Sequence, residues 1–270
     1  MSNNPGREVR FALYRPNVSR WQTRLIFFVG LLAAWEALFR LNLWPSYVFP
    51  SMSSVGISLL AGFRDGSYPL AITVSLRRIL IGYGLSLLIG IPLGLLLGRV
   101  KLVQDTLGSI ILGLQALPSI CWLPLALLWF GLSEKAILFV VVMGAVLSVT
   151  LSTADGVRNT PPLYLRAART MGARGWRLYT GVILPAALPA ILSGMKLGWS
   201  FAWRSLMAGE LLYVSLGLGQ LLTMGRELND MAQVIAVMLV IIALGLLVDR
   251  AVFAPFERRV RERWGLHIAG

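Results

Sequence analysis

The side chains able to do chemistry are few, and those present are poorly placed for catalysis. The single cysteine, Cys121, lies in an apolar run, and the single histidine, His267, falls within the last four residues. A His/Cys metal site is thereby excluded, as is a Cys–His or Ser–His nucleophile pair with a properly placed base. No Gly-x-x-x-x-Gly-Lys-Ser/Thr loop occurs anywhere in the chain, so it carries no phosphate cradle of that kind. What remains is a handful of ionisable groups set among apolar neighbours: Glu36, Lys196, Arg204, Glu210 and Asp249. Charges at membrane depth cost roughly 2.5–3.5 kcal/mol each on insertion scales, and they are functional candidates for that reason. Lys196 and Arg204 are eight residues apart, which places them about 80° apart around a helix, and Glu210 follows them. In one reading Lys196 or Arg204 faces a central cavity and attracts an anionic solute. In the other, both pair with internal acids such as Glu36 or Glu210, or snorkel to an interface. Asp249-Arg250 reads as the edge of a last span, and no chemistry is built on Glu36 or Asp249.

The elements that would position these groups follow from composition. Of 270 residues, 57% are hydrophobic and 14% charged, with mean hydropathy +0.73. A soluble domain carries about 25% charged residues, so this chain lacks the polar surface to cover itself in water. Its apolar residues form long blocks. Ile79–Gly98, Thr106–Ser133, Ala136–Ala154, Leu178–Met195 and Met231–Val248 carry no charge, and each reaches or approaches the roughly 20 residues needed to cross about 30 Å of hydrocarbon. Leu25–Trp44, interrupted by Glu36 and Arg40, adds a sixth. The expected fold is an all-α polytopic membrane protein with about six transmembrane helices.

Two of these runs carry packing or kinking devices. Gly82, Ser86, Gly90, Gly94 and Gly98 recur every fourth residue, a small-xxx-small line that lets another helix approach closely within the subunit or across a dimer. Pro92 in the same run is expected to kink it. Thr106–Ser133 is too long for one straight crossing, and Pro118 and Pro124 divide it on either side of Trp122. Proline removes a donor and disfavours helix in the residue before it, so the helix is expected to break midway. A broken helix at membrane depth is tolerated where it lines a cavity or packs on protein, so Pro118 and Trp122 join Lys196, Arg204 and Glu210 as pathway candidates.

The N-terminus opens polar, with Arg7, Arg10, Arg15, Arg20 and Arg24 ahead of the first apolar run and no small-residue cleavage pattern, so it is not read as a secretory signal. The net charge of +13 reads as the positive-inside bias of a membrane protein rather than as nucleic-acid binding. Basic residues gather in the N-terminal tail, at Arg99–Asp105, in Asp155–Gly181 and after the last span. The connection Leu43–Arg78 fits less well, with Arg64, Arg77 and Arg78 against Asp65. Across six spans the balance places both termini in the cytoplasm. Residues 1–24 then form a cytoplasmic segment, 25–254 the transmembrane domain with its core at about 69–254, and 255–270 a basic cytoplasmic tail. In Leu43–Arg78 a weakly amphipathic stretch, Val55–Phe63, suggests an interfacial helix before a turn at Asp65-Gly66.

The segment after the fourth span is unusual for a loop. Thr160 suits an N-cap, Pro161 the first helical position, and Gly172 a C-terminal stop, predicting a short helix; a second, Ala173–Tyr179, leads into Val182-Ile183-Leu184-Pro185. Alanines flanked by arginines make a surface suited to docking in a partner's groove. The pattern Arg166-Ala167-Ala168, then Gly172, then Val182-Ile183-Leu184-Pro185 resembles the EAA loop of permease subunits of type I ABC importers. That loop runs Glu-Ala-Ala, three residues, Gly, nine residues, Ile-x-Leu-Pro. The spacing here is the same, with Arg166 in place of Glu and Val182 in place of Ile. Ser75-Leu76-Arg77-Arg78, Gly90-Ile91-Pro92-Leu93-Gly94, Leu117-Pro118 through Phe130-Gly131, Gly209-Glu210-Leu211 and Gly217-Leu218-Gly219 are similar to the sulfonate/nitrate/taurine branch of that family.

The resemblance implies a coupling helix between spans four and five, formed by Arg166, Ala167, Ala168, Arg169 and Gly172 with Leu184 and Pro185, that docks on an ATPase. It implies two ABC ATPase subunits that bind ATP and magnesium outside this chain, and a second permease subunit, usually an identical copy. It also implies a periplasmic or lipid-anchored substrate-binding protein, and residence in a bacterial inner membrane. The solute would be a small anion such as a sulfonate, nitrate or taurine; related permeases for bicarbonate or pyrimidine or vitamin precursors share much of the pattern. An ion-coupled secondary transporter would need inverted repeats and paired intramembrane carboxylates. An intramembrane enzyme would need paired Asp, Ser–Lys or His-rich sites. The sequence shows neither pattern.

Overall fold

The computed structural model describes residues 20–212 and 215–263, and all regular structure among them is helical. In chain order the helices are α1 (Arg20–Arg40), α2 (Met52–Arg64), α3 (Ser67–Arg99), α4 (Lys101–Gln115), α5 (Ser119–Phe130), α6 (Glu134–Arg158), α7 (Pro162–Thr170), α8 (Gly175–Leu212), α9 (Leu218–Glu227) and α10 (Met231–Val260). Helices α1, α3, α6, α8 and α10 are each long and apolar enough to cross a membrane, and α4 with α5 makes a sixth span if the bent pair is counted as one.

Helix α6 is the hub, packed along α3 on one side and α8 on the other. The α3 side is set by the small-residue line. A methyl at Gly82, Gly94 or Gly98 would lie 2.6 Å from Val141 Cγ1, 2.4 Å from the Thr150 carbonyl oxygen or 2.6 Å from Val157 Cβ, all on α6. Gly90 approaches the Val146 carbonyl, and Ser86 Oγ donates to the Gly82 carbonyl and, at 3.3 Å, to that of Val142. The α8 side repeats the device from the other flank of α6, where Gly144, Ser148, Ser152 and Gly156 also recur every fourth residue. A methyl at Gly144 would meet Ser205 Oγ, one at Gly156 the Ala190 side chain, and one at Gly194 the Ser152 side chain. Between membrane helices, where no hydrophobic drive operates, this backbone proximity supplies the van der Waals contact. Ile79, Tyr83, Ile137, Val141, Trp199 and Leu206 fill the space where the three helices meet.

Pro118 breaks the third apolar run. Its backbone is extended (φ −54°, ψ 138°), and α5 leaves at 103° to α4. Pro124 does not break it, because it sits in the first turn of the α-helical part of α5, where the missing N–H has no intrahelical partner to lose. Pro92 lies inside α3, which remains helical through it. Helix α8 contains a π-turn at Tyr179–Ile183 just ahead of Pro185, and α10 one at Asp249–Phe253 just ahead of Pro255. A proline cannot donate to the carbonyl four residues back, and a widened turn absorbs that loss.

Several boundaries move from their expected places. Helix α3 begins at Ser67, after a turn in which Gly66 takes φ 80° and the Asp65 carboxylate accepts from Ser67 N at 2.8 Å. That hydrogen bond holds the exposed Asp65 carboxyl below its usual range. Arg77 and Arg78, expected in the preceding connection, therefore lie well inside α3. Helix α7 begins at Pro162 rather than Pro161, and Thr160 does not cap it: its hydroxyl turns back to the Gly156 carbonyl at 3.3 Å. Gly172 does stop it, at φ 82°. The second short helix, expected over Ala173–Tyr179, starts at Gly175 and runs straight on into α8. Helix α1 is exposed along most of its length and is tied at its C-terminal end, where Trp35 Nε1 donates to the Pro50 carbonyl and the ring stacks on Phe49. Most of the basic N-terminal segment, and His267, lie outside the described residues.

Candidate functional site

Under the bend between α4 and α5 lies a cavity of about 310 Å³, walled by α6 and α8. Gln115, Pro118, Trp122, Ser148, Phe201 and Arg204 line it. Three sequence-derived pathway candidates, Pro118, Trp122 and Arg204, thus share one space. The bend at Pro118 forms part of its wall. Trp122 stacks edge-on against Phe139.

Arg204 supplies the charge. Its guanidinium lies over the Phe201 ring, 5.7 Å from the centroid, and among the described residues no carboxylate pairs with it. Guanidinium stays protonated at any relevant pH and offers five donors in a planar fork, so the cavity presents an uncompensated positive charge. Ser148 lies in the opposite wall, 1% exposed, and its Oγ has no hydrogen-bond partner. Helical hydroxyls nearby, Thr150 and Ser205, spend theirs on the carbonyl four residues back.

Lys196 and Glu210 are elsewhere. Lys196 faces α10, with Nζ 2.7 Å from Asp249 Oδ1 and 4.0 Å from Glu257 Oε2, beside a separate cavity of about 320 Å³. The 80° turn along α8 divides it from Arg204, and its charge is neutralised chiefly by Asp249, on which no chemistry is built. Glu36, the other proposed internal partner, instead pairs with Arg40 within α1.

Glu210, 1% exposed, lines no part of the Arg204 cavity; it is an internal anchor. Arg78, 2% exposed, donates Nη1 to Glu210 at 3.0 Å and to the Leu216 carbonyl at 2.7 Å, and Nη2 to Glu134 and Ser215 Oγ, both at 3.0 Å. Ser75 Oγ donates to the Glu210 carboxylate at 2.8 Å and accepts from Leu218 N; Gly219 N donates to the same carboxylate at 3.0 Å. A methyl at Gly217 would strike the carboxylate, and one at Gly219 would lie 2.4 Å from Glu210 Cβ. Three separate sequence blocks, Ser75–Arg78, Gly209–Leu211 and Gly217–Gly219, are therefore one cluster in space. The sequence offered no signal for that pairing beyond the charges themselves.

Helix α7 stands at the far end of α6 from Glu134. Its inward face, Leu165 and the 3%-exposed Ala168, packs with Val157, Leu178 and Ile183. Its outward face leaves Leu163, Tyr164, Arg166, Ala167, Arg169 and Met171 exposed. Of the residues grouped for docking, Ala168 is thus turned inward. Leu184 and Pro185 lie half-buried at the start of the α-helical part of α8, Leu184 against the same cluster. They seat α7 rather than form its outer surface. Gln115 and Ser148 also line the Arg204 cavity; the four-residue spacing of Ser148 with Gly144, Ser152 and Gly156 is the signal the sequence holds for the second of them.

The model of the binding-protein-dependent transport system inner membrane component family matches residues 90–262. The chain is 30% identical over 235 residues to the taurine transport system permease protein TauC of Escherichia coli, covering 85% of both chains. It is 28% identical over 189 residues to the nitrate import permease protein NrtB of a Synechocystis species, covering 70% of this chain and 69% of that one. Its fold is similar to that of a chain in the MetNI methionine ABC transporter in inward-facing conformations, with TM-score 0.62 at 19% identity over 70% of this chain and 94% of that one. With a family match over most of its length and a 30%-identical relative covered nearly end to end, the chain belongs to the binding-protein-dependent transport system inner membrane components, the permease subunits of ABC importers.

Proposed function

We propose that this chain forms the translocation path of an ATP-driven importer for a small anionic solute. The observation that carries the reading is Arg204: a cation, unpaired by any described carboxylate, lining a cavity beside a broken membrane helix. Arg204 is exposed in the single chain, and a cation at membrane depth with no protein counterion is a place where an anionic ligand can supply one. The solutes for which the two relatives are named, taurine and nitrate, carry or are oxyanions and suit that charge. Bicarbonate, or a pyrimidine or vitamin precursor bearing an acid group, would suit it also.

In this reading two ATPase subunits bind ATP and magnesium and dock on the outward face of α7, where Leu163, Tyr164 and Met171 offer apolar contact rimmed by Arg166 and Arg169. A second copy of the chain completes the permease, and an external binding protein delivers the solute. The protein resides in a bacterial inner membrane with both termini cytoplasmic. Placing Arg77 and Arg78 inside α3, paired with acids, removes from the charge balance the two bases that fitted this orientation worst. ATP-driven closure would move α7, and α7 is seated on the start of α8, which carries Arg204; the cavity would then open alternately to either side. The rival of ion coupling would need a carboxylate free to bind the ion, whereas Glu210 is held by Arg78, Ser75 and Gly219 N.

Uptake of radiolabelled taurine, methanesulfonate and nitrate into proteoliposomes containing the whole importer tests the reading. Arg204→Gln is expected to lower uptake of the transported anion by roughly tenfold or more, the scale of losing one charged hydrogen bond, with Arg204→Lys intermediate. Unchanged affinity and rate in Arg204→Gln, with ATP hydrolysis intact, would remove Arg204 from the path.

A further inference from the structure

A second cavity, of about 520 Å³, lies between α4 and the C-terminal half of α6, toward the end that carries α7. Gln104, Asp105, Ser109, Asp155 and Arg158 are among its walls, and so is Gln115, which also lines the Arg204 cavity. Gln115 is half-buried and, among the described residues, is the one that lines both cavities. The two spaces differ in sign. The upper one holds Arg204 without a counterion. In the lower one Arg158 is paired with Asp155, while Asp105 has no cation partner among the described residues, leaving a net negative wall.

We infer that the two cavities form one lane with Gln115 as its neck, and that the charge of its lining changes sign at that residue. The inference rests on the reading of the Arg204 cavity as an anion path. An anion is drawn to Arg204 and the unpartnered Ser148 hydroxyl above the neck. The Gln115 amide, with a donor and an acceptor but no charge, lets it pass without binding it strongly. Below, the Asp105 carboxylate raises the barrier to an anion in either direction, so it opposes entry of anions from the α7 side, and the solute must be driven past it. Gln115 is thus a specificity-determining residue and the lower cavity an anion screen, since a cleft lined by one sign concentrates counter-ions and excludes like charge.

The test needs no knowledge of the natural solute. In a Cys121→Ser background of the full importer, Ser119→Cys reports on the upper cavity and Ser109→Cys on the lower one. The probes are two thiol reagents of similar size, 2-sulfonatoethyl methanethiosulfonate (anionic) and 2-(trimethylammonium)ethyl methanethiosulfonate (cationic). The ratio of anionic to cationic labelling rate is expected to be roughly tenfold higher at Ser119→Cys than at Ser109→Cys. Arg204→Gln should lower the ratio at the first position only, and Asp105→Asn should raise it at the second only. Gln115→Trp should slow labelling of Ser119→Cys from the α7 side and leave labelling from the other side unchanged. Retained ATP hydrolysis by each variant complex shows that it is folded. Equal ratios at both positions, or unchanged access in Gln115→Trp, would overturn the lane. If wild-type uptake is then still anion-selective and Arg204-dependent, the anion path survives and only the sign reversal and neck are lost.

Discussion

Arg78 and Glu210 carry opposite charges into almost complete burial, and every oxygen and all but one nitrogen between them is engaged. Removing one partner of such a pair leaves the other charged and desolvated, which costs about 3–5 kcal/mol. Glu210→Gln keeps the shape and loses the charge, so the detergent-purified protein should melt many degrees lower in a light-scattering or dye assay. Arg77→Gln touches only the exposed side of Glu134, and its effect should stay under about 1 kcal/mol in the same assay. Equal losses for the two would show that burial is not what makes the pair matter. At this scale the sequence was half legible. Arg204, Pro118 and Trp122 could be read from charge and proline placement within apolar runs. Glu210 and Lys196 could not be separated from them, because which acid meets which base depends on where α3 and α10 lie, and no local pattern encodes that. Leu184 and Pro185 were part of a spacing pattern, and a spacing does not say which of its members face outward.

Helices here are joined through small residues, so stability should track backbone proximity rather than apolar volume. A methyl at Gly94 would lie 2.4 Å from a carbonyl of α6, whereas Gly84 on the same helix has nothing within 4 Å. Gly94→Ala should therefore lower the melting temperature clearly. Gly84→Ala should leave it unchanged or raise it slightly, because alanine is about 1 kcal/mol better than glycine within a helix. Helix α7 yields a prediction of a different kind. Tyr164→Asp places a charge on its exposed apolar face without disturbing Leu165 or Ala168, so the fold should persist while recovery of ATPase subunits in affinity purification falls at least about tenfold. The α3 line was legible because four-residue spacing of small residues is a one-dimensional signal, and the matching line on α6 has the same signature. The ends of α3 and α7 were less so: Ser67–Arg78 ends in two bases that read as a connection, and it is the tertiary partners Glu134 and Glu210 that let Arg78 be buried within the helix.

Considered whole, the molecule separates its parts along one axis. The Arg78–Glu210 cluster and helix α9 occupy one end, α7 the other, and the Arg204 cavity lies between them beside the broken helix α4–α5. Helix α8 joins all three levels, starting under α7, carrying Arg204 midway and ending at Glu210. A push on α7 would therefore be delivered to the cavity wall by a single continuous helix. Composition and apolar run length sufficed for the polytopic helical fold, because crossing a bilayer constrains length and polarity so tightly. The lateral order of the helices, which makes α6 the hub, lies in contacts that no single run specifies. A chain of this kind would move solute using work done by a partner. That coupling is tested most directly by expressing the chain with the products of its neighbouring genes, purifying the complex through this chain, and measuring vanadate-sensitive ATP hydrolysis in proteoliposomes. The account predicts a co-purifying ATPase whose hydrolysis is lost on Tyr164→Asp; a chain that brings down no ATPase and supports no vanadate-sensitive hydrolysis would contradict it.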